Sequence, residues 1–173
     1  MIRLLSRDEW VPIPGFPKYS LNSLGQVQHN RTGRLIRPQL NRTGGVYVVL
    51  MRESFQHYSR SLPLLVAKAF IPQDLEHLEY FDTPIHLDGD KMNCAVDNLM
   101  WRPRWFSIKF HNQFRMYSEA LINTPLRQLV DGKVFRDSRV LASLYGLLER
   151  DILESIYNSA PVWPTWQRFE LAE

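Results

Sequence analysis

The 173-residue sequence has a single cysteine, Cys94. One thiol closes no disulfide and supplies no Cys-rich zinc site, so neither framework is expected, and a reducing, cytoplasmic setting is the default. No run approaches the roughly 18 apolar residues that a bilayer-spanning helix requires, so no membrane partner is expected. The opening MIRLLSRDEW lacks the apolar core of a secretory leader. Repeats, low-complexity runs and flexible linkers are missing as well. Acidic residues are scarce over positions 1–70, where three Asp and Glu face ten Lys and Arg.

What is present suits a folded protein. Apolar residues make up 45% of the chain and charged residues 23%, enough for one core or for two to three small modules. The net charge of +3 hides an uneven distribution: +7 over residues 1–70, −6 over 71–100, +4 over 101–118 and −2 thereafter. Two basic blocks flanking an acidic one suit a phosphate-binding surface around a metal-type site. A mixed, solvated surface is the plain alternative.

Turn signals (PIPGFPKY, NSLG, NRTGR, NRTGG) cut the first segment into short runs of β character such as GQVQH and VYVVLM. They predict a small antiparallel sheet over residues 9–60, with Gly44-Gly45 as a hairpin turn. Arg31, Arg34, Arg37 and Arg42 fall in or near its turns, where long side chains can reach a phosphate backbone. The run LPLLVAKAF predicts a core helix with Pro63 in its first turn, ending before Pro72. An acidic connector, QDLEHLEYFDT, follows. Residues 84–101 read as strand, loop, strand, with Asp88-Gly89-Asp90 as the turn and Asn98-Leu99-Met100-Trp101 as the returning strand. A helix over about residues 104–119 comes next, with Arg104, Ile108, His111 and Arg115 near one face and Trp105, Lys109 and Asn112 on another. LRQLV-DG-KVF reads as a hairpin about a two-residue Asp131-Gly132 turn. Two short helices then resemble a helix-turn-helix, the first capped by Asp137 or Ser138 and closed by Gly146. WPTWQRFEL reads as a closing strand. The expected fold class is α+β.

Strand pairing brings His86 and Asn98 to one hairpin. An Asn carbonyl can accept the proton of one imidazole nitrogen and leave the other as a base toward water beside a DNA phosphate. A divalent metal would stabilise the leaving oxygen.

The span Ile85-His86-Leu87-Asp88-Gly89-Asp90-Lys91-Met92-Asn93-Cys94-Ala95-Val96-Asp97-Asn98-Leu99-Met100-Trp101 resembles the HNH nucleases of the phage homing-endonuclease type, with their ββα-metal core, and its His-to-Asn spacing needs no gap. The flanks are similar too: EWVPIPGF onward looks like the nuclease-associated modular domain, LLVAKAFIP like the joining helix, and the last third like the helix-turn-helix of intron-encoded nicking enzymes. The resemblance implies three modules: a β-rich DNA-binding module at residues 1–60, a connecting helix and ββα core at 61–120, and a helix-turn-helix module at 121–173. It implies His86 as general base, Asn98 as its orienting partner, Asp88 and Gly89 as shapers of the loop, Trp101 as core, and Mg2+ or another divalent metal as cofactor.

Two positions depart from that pattern. The residue before the His is usually a ligand, and here it is Ile85. The second ligand sits six residues past the Trp, and here that is Ser107. His111, one turn on, and Asn112 beside it are the substitute candidates. Arg102, Arg104, Lys109 and Arg115, interleaved with aromatics, join the four N-terminal arginines as expected contacts to double-stranded DNA. The second helix of the pair, with Glu149, Asp151 and Glu154, reads as an acidic face unsuited to phosphate. The lone Cys94, in the loop, reads as a space-filler. The enzyme reading is a DNA endonuclease. The binding reading is the same scaffold with its chemistry lost, acting as a DNA-binding regulator or an accessory subunit with a phage or host protein partner. Recruitment to structured RNA or protein is the third.

Overall fold

The computed structural model describes residues 9–52, 55–73 and 80–172. The turn residues divide the first segment as expected, but into two sheets where one was expected. Strands β1 (Val11–Ile13), β2 (Phe16–Leu21), β3 (Val27–His29) and β4 (Leu35–Ile36) pair in that order, each antiparallel to the next. Strands β5 (Gln39–Leu40), β6 (Val46–Met51) and β7 (His57–Ser61) form the second sheet, with β6 central. The cause is in β6 itself. Its β-branched, strictly alternating pattern buries Val46, Val48 and Leu50 and turns Tyr47, Val49 and Met51 to the other face, so the strand must present one side to a core. The Gly44-Gly45 turn forms as read: the Asn41 side chain accepts from the Thr43 and Gly45 amides at 3.0 and 2.7 Å.

Helix α1 (Leu62–Phe70) carries Pro63 in its first turn and ends at Ile71, before Pro72. Its buried face, Leu62, Val66 and Ala67, has helical spacing. Leu62 and Val66 join Phe16, Leu21, Val27, Val48, Leu50 and Leu99 in one core, each fully buried aliphatic side chain contributing about 1.5–3 kcal/mol. The acidic connector falls largely outside the described residues. Strands β8 (Thr83–His86) and β9 (Leu99–Arg102) pair antiparallel, and helix α2 (Arg104–Met116) follows.

In the last third, β10 (Leu126–Gln128) lies between β11 (Val134–Phe135) and β12 (Phe169–Leu171), so the tail does close a sheet. The turn differs from expectation. The Gly132 amide donates to the Gln128 carbonyl at 2.9 Å, and the Gln128 amide to the Lys133 carbonyl at 2.8 Å. Asp131-Gly132 therefore ends a four-residue loop and is not a two-residue turn on its own. Helices α3 (Ser138–Tyr145) and α4 (Glu149–Asn158) are separated by Gly146 at φ 59°. Leu126, Leu141, Ala142, Leu147, Ile152 and Phe169 form their core.

Asp137 is the α3 cap: its Oδ1 accepts from the Val140 amide at 2.8 Å. Desolvation works to raise its pKa, but the Val140 hydrogen bond and the Arg136 guanidinium outweigh it and hold the carboxyl below its ordinary value. Asp137→Ala is expected to cost about 1 kcal/mol in urea unfolding at neutral pH. A carboxyl whose pKa is lower folded than unfolded stabilises above the unfolded value, and the gain is lost as pH falls through the folded one. The gap between variant and wild type is therefore expected to shrink in acid. An equal gap at pH 7 and pH 3 would count against the cap.

The chain divides into two compact units that cut across the boundaries 60/61 and 120/121: Met1–His86 with Asp90–Pro103, and Leu87–Gly89 with Arg104–Glu173. Among the described residues, no helix is long and apolar enough to cross a membrane.

Candidate functional site

Pairing of β8 with β9 places His86 and Asn98 on one hairpin. His86 faces Leu99 across the ladder, which places Asn98 one residue before its partner. Asn98 lies not on the strand, as expected, but at the end of a one-turn 3-10 helix, Val96–Asn98. The reason is local: its side-chain amide donates to the Asn93 carbonyl at 2.8 Å, and its backbone amide donates to the Ala95 carbonyl at 3.0 Å. Both bonds tighten the loop just before the strand begins.

The loop is organised from within. The Asp90 carboxylate accepts from the Met92 amide at 2.9 Å, and Gly89 sits at φ 78°, a conformation that favours glycine. A Cβ at Gly89 would stand 2.5 Å from the Phe114 ring of α2. The N-terminal sheet fastens the same loop from outside. The Val96 amide donates to the Ser23 carbonyl at 2.8 Å, and Gly25 packs directly on the Cys94 carbonyl.

His86 is only 4% exposed. Its Nε2 lies 3.8 Å from the Cys94 sulfur, a contact that the space-filler reading of Cys94 does not anticipate. Trp101, 6% exposed, is core as expected, and its indole N–H donates to the Ile71 carbonyl at 3.1 Å.

Ile85 is fully buried in the first unit, on the face of β8 opposite His86. An aliphatic side chain offers no electron pair to a metal. In the second unit, Ser107 is 8% exposed, and its hydroxyl stands 3.4 Å from His111 Nδ1. That Nδ1 lies 2.9 Å from the Ser107 carbonyl, four residues back along α2. Bonding to the carbonyl requires the proton on Nδ1. Asn112 is exposed on the next position. Among the described residues, no group of three His, Cys, Asp or Glu could hold a metal ion. Of the two expected ligand positions, Ile85 cannot coordinate a divalent cation and the Ser107 hydroxyl is a poor ligand for one.

The basic residues separate by exposure. Arg31, Arg34 and Arg37 line one shallow groove with Tyr19, His29 and Gln39. Arg42 is exposed at the β5–β6 turn. On α2, Arg104, Lys109 and Arg115 are exposed, and Lys109 Nζ lies 5.3 Å from the Trp105 ring centroid. Arg102 is a correction. It is 7% exposed, donates through Nη1 to the Trp101 carbonyl at 2.9 Å, and stacks on Phe81. Burial pushes its pKa down to about 10, so it keeps its charge at neutral pH but does not present it to a polyanion. Glu149 is a second correction. It is fully buried and so forms no part of an acidic outer face.

Residues 8–51 match the family model described as the NUMOD4 motif. An uncharacterized HNH endonuclease of Acanthamoeba polyphaga mimivirus is 30% identical over 92 residues, covering 53% of this chain and 22% of that protein. The H-N-H endonuclease F-TflII of Escherichia phage T5 is 30% identical over 88 residues, covering 51% of this chain and 44% of that one. The matches thus span less than half the length of either relative. A solved structure described as DNA binding and cleavage by the HNH homing endonuclease I-HmuI aligns over 95% of this chain and 98% of its own, at 18% identity and a TM-score of 0.48. The sequence resemblance to HNH endonucleases is the one these comparisons return.

Proposed function

We propose that this protein binds double-stranded DNA and hydrolyses its phosphodiester bonds as an HNH-type homing endonuclease. The observation that supports the reading is the β8–β9 hairpin, which sets His86 opposite Leu99, the residue after Asn98, within a motif of matching spacing. His86 is the general base that takes a proton from water, and Asn98 is the positioning residue that closes the loop behind it. Arg31, Arg34, Arg37 and Arg42, and separately Arg104, Lys109 and Arg115, are the phosphate contacts. The proposed functional segments are residues 1–60 for DNA binding, 61–120 for the connecting helix and ββα core, and 121–173 for the helix-turn-helix, a division distinct from that of the compact units. The place of action is the cytoplasm of a phage-infected host.

A divalent ion, Mg2+ in the simplest case, would supply stabilisation of the charge on the leaving oxygen, with His111 and Asn112 as the remaining candidate ligands. The misfit at Ile85 and Ser107 favours a second reading, in which the same scaffold binds DNA as a regulator or as an accessory subunit of a phage complex without cutting.

A nicking assay on supercoiled plasmid carrying the protein's own locus, in Mg2+ and in Mn2+, separates the two. Under the first reading wild type nicks, and His86→Ala lowers the rate by about 10²–10⁴-fold. Under the second, wild type binds the plasmid without nicking it, and His86→Ala leaves affinity unchanged. Ile85→Asp, which restores a ligand type, needs a melting curve alongside it. The position is fully buried, and an unpaired carboxylate there is costly to desolvate.

A further inference from the structure

The β6–β7 hairpin carries a second cationic patch, apart from the groove of Arg31, Arg34 and Arg37. Arg52 follows β6, and its guanidinium carbon lies 4.7 Å from the Tyr58 ring centroid and 5.5 Å from that of Phe16. Arg60, on β7, lies 5.3 and 5.2 Å from the same two rings. The rings meet edge to face, 5.9 Å apart. Two like charges thus share one aromatic platform, and among the described residues neither has a carboxylate partner. The other side-chain bond is local: Arg60 Nη1 donates to the Ser59 carbonyl at 3.1 Å.

The strand explains the arrangement. Tyr58 and Arg60 face the same way along β7, opposite the buried Leu50 and Val48 of β6. β7 is an edge strand, so the Arg60 stem crosses apolar surface and its charged end reaches the rim. A guanidinium resting on a ring face keeps its N–H donors in its own plane, directed away from the ring. The platform therefore holds two sets of charge-assisted donors in restricted geometry, side by side. An anion with several acceptor oxygens can accept from both, and the +7 balance of residues 1–70 favours a polyanion.

We propose that Arg52 and Arg60 form a paired contact to the phosphodiester backbone of duplex DNA. This rests on the DNA-binding reading above. It assigns a phosphate site to a hairpin that the sequence does not single out, because its two arginines stand eight positions apart and converge only through strand pairing.

The test is the salt dependence of binding by the full chain to a 30-bp duplex, followed by fluorescence anisotropy across a KCl series. Arg52→Gln with Arg60→Gln is expected to make the slope of log K against log [KCl] shallower by about 2, near 0.9 for each phosphate that is no longer neutralised. Arg52→Gln alone, at an exposed residue, is expected to remove about half of that and guards against a double variant that fails to fold. Arg52→Lys with Arg60→Lys is expected to keep the slope. An unchanged slope in Arg52→Gln and in the folded double variant, with wild type still binding, overturns the site and leaves the DNA reading standing; self-association of those variants would instead mark Arg60 as a guard of the sheet edge. A reduced slope confined to a single-stranded RNA of equal length overturns the assignment to duplex DNA. Absence of salt-dependent duplex binding in wild type overturns the DNA reading and this site with it.

Discussion

Glu149→Ala is expected to destabilise the second compact unit by about 3–5 kcal/mol, the cost typical of removing one partner from a buried ion pair. Glu149 is fully buried at the start of α4. Its Oε2 accepts from the Ser138 hydroxyl at 2.6 Å and from the Leu121 amide at 2.9 Å, and its Oε1 pairs with the Arg139 guanidinium. Its own amide donates to Gln113 Oε1 at 3.0 Å. One residue therefore ties together α2, the segment before β10, α3 and α4. Truncation leaves Arg139 Nε, the Ser138 hydroxyl and the Leu121 amide without the Glu149 acceptor, and burial prevents water from replacing it freely. Urea unfolding followed by tryptophan fluorescence measures the cost. Glu149→Gln, which keeps an acceptor oxygen but not the charge, is expected to fall between wild type and Ala. A cost below about 1 kcal/mol for Glu149→Ala would refute the buried network, because surface helix-terminal carboxylates contribute on that smaller scale.

Gly25→Ala is expected to cost about 2–5 kcal/mol, while Gly33→Ala costs about 1–2. Both glycines have positive φ, 77° and 66°, so both variants bear the left-handed backbone penalty of about 1–2 kcal/mol. They differ in what a methyl group meets. At Gly33 nothing lies within 4 Å, whereas at Gly25 the Cβ would stand 2.7 Å from the Cys94 carbonyl oxygen. That oxygen is backbone and cannot swing aside, so overpacking adds about 1–3 kcal/mol. The strain is delivered to the loop that covers His86. The Val96 amide, bonded to the Ser23 carbonyl, is expected to lose hydrogen-exchange protection in Gly25→Ala and to keep it in Gly33→Ala. Equal stability losses in the two variants would show that the N-terminal turn does not support the loop.

Glu149 and Gly25 mark the point at which the sequence stops being informative. An acidic residue in the first turn of a helix has an ordinary explanation in the helix dipole, and Glu149 fits it on paper. Its burial depends on Ser138, Arg139 and Leu121, up to 28 positions away. In sequence Arg102 looks like its neighbour Arg104, since charge and spacing do not distinguish them. The ladder turns Arg102 inward onto Phe81, and helix α2 turns Arg104 outward.

The local chemistry was legible because it acts over a few residues. Alternation in VYVVLM, the proline in the first turn of α1, the Asp137 cap and the Gly146 terminus each determine backbone conformation within one or two turns. The His86-to-Asn98 spacing is of the same kind, a contiguous motif readable before any fold. Ile85 and Ser107 as poor ligands were legible too, since side-chain chemistry needs no coordinates. Tertiary structure alone decided which charges meet water and which loop rests on which sheet. Cys94 against His86, Gly25 beneath Cys94, Glu149 in the core and the convergence of Arg52 with Arg60 all depend on strand pairing and burial between distant segments. Sequence determined the elements and the chemical groups they carry. Packing decided their exposure, and with it which of those groups can reach a phosphate.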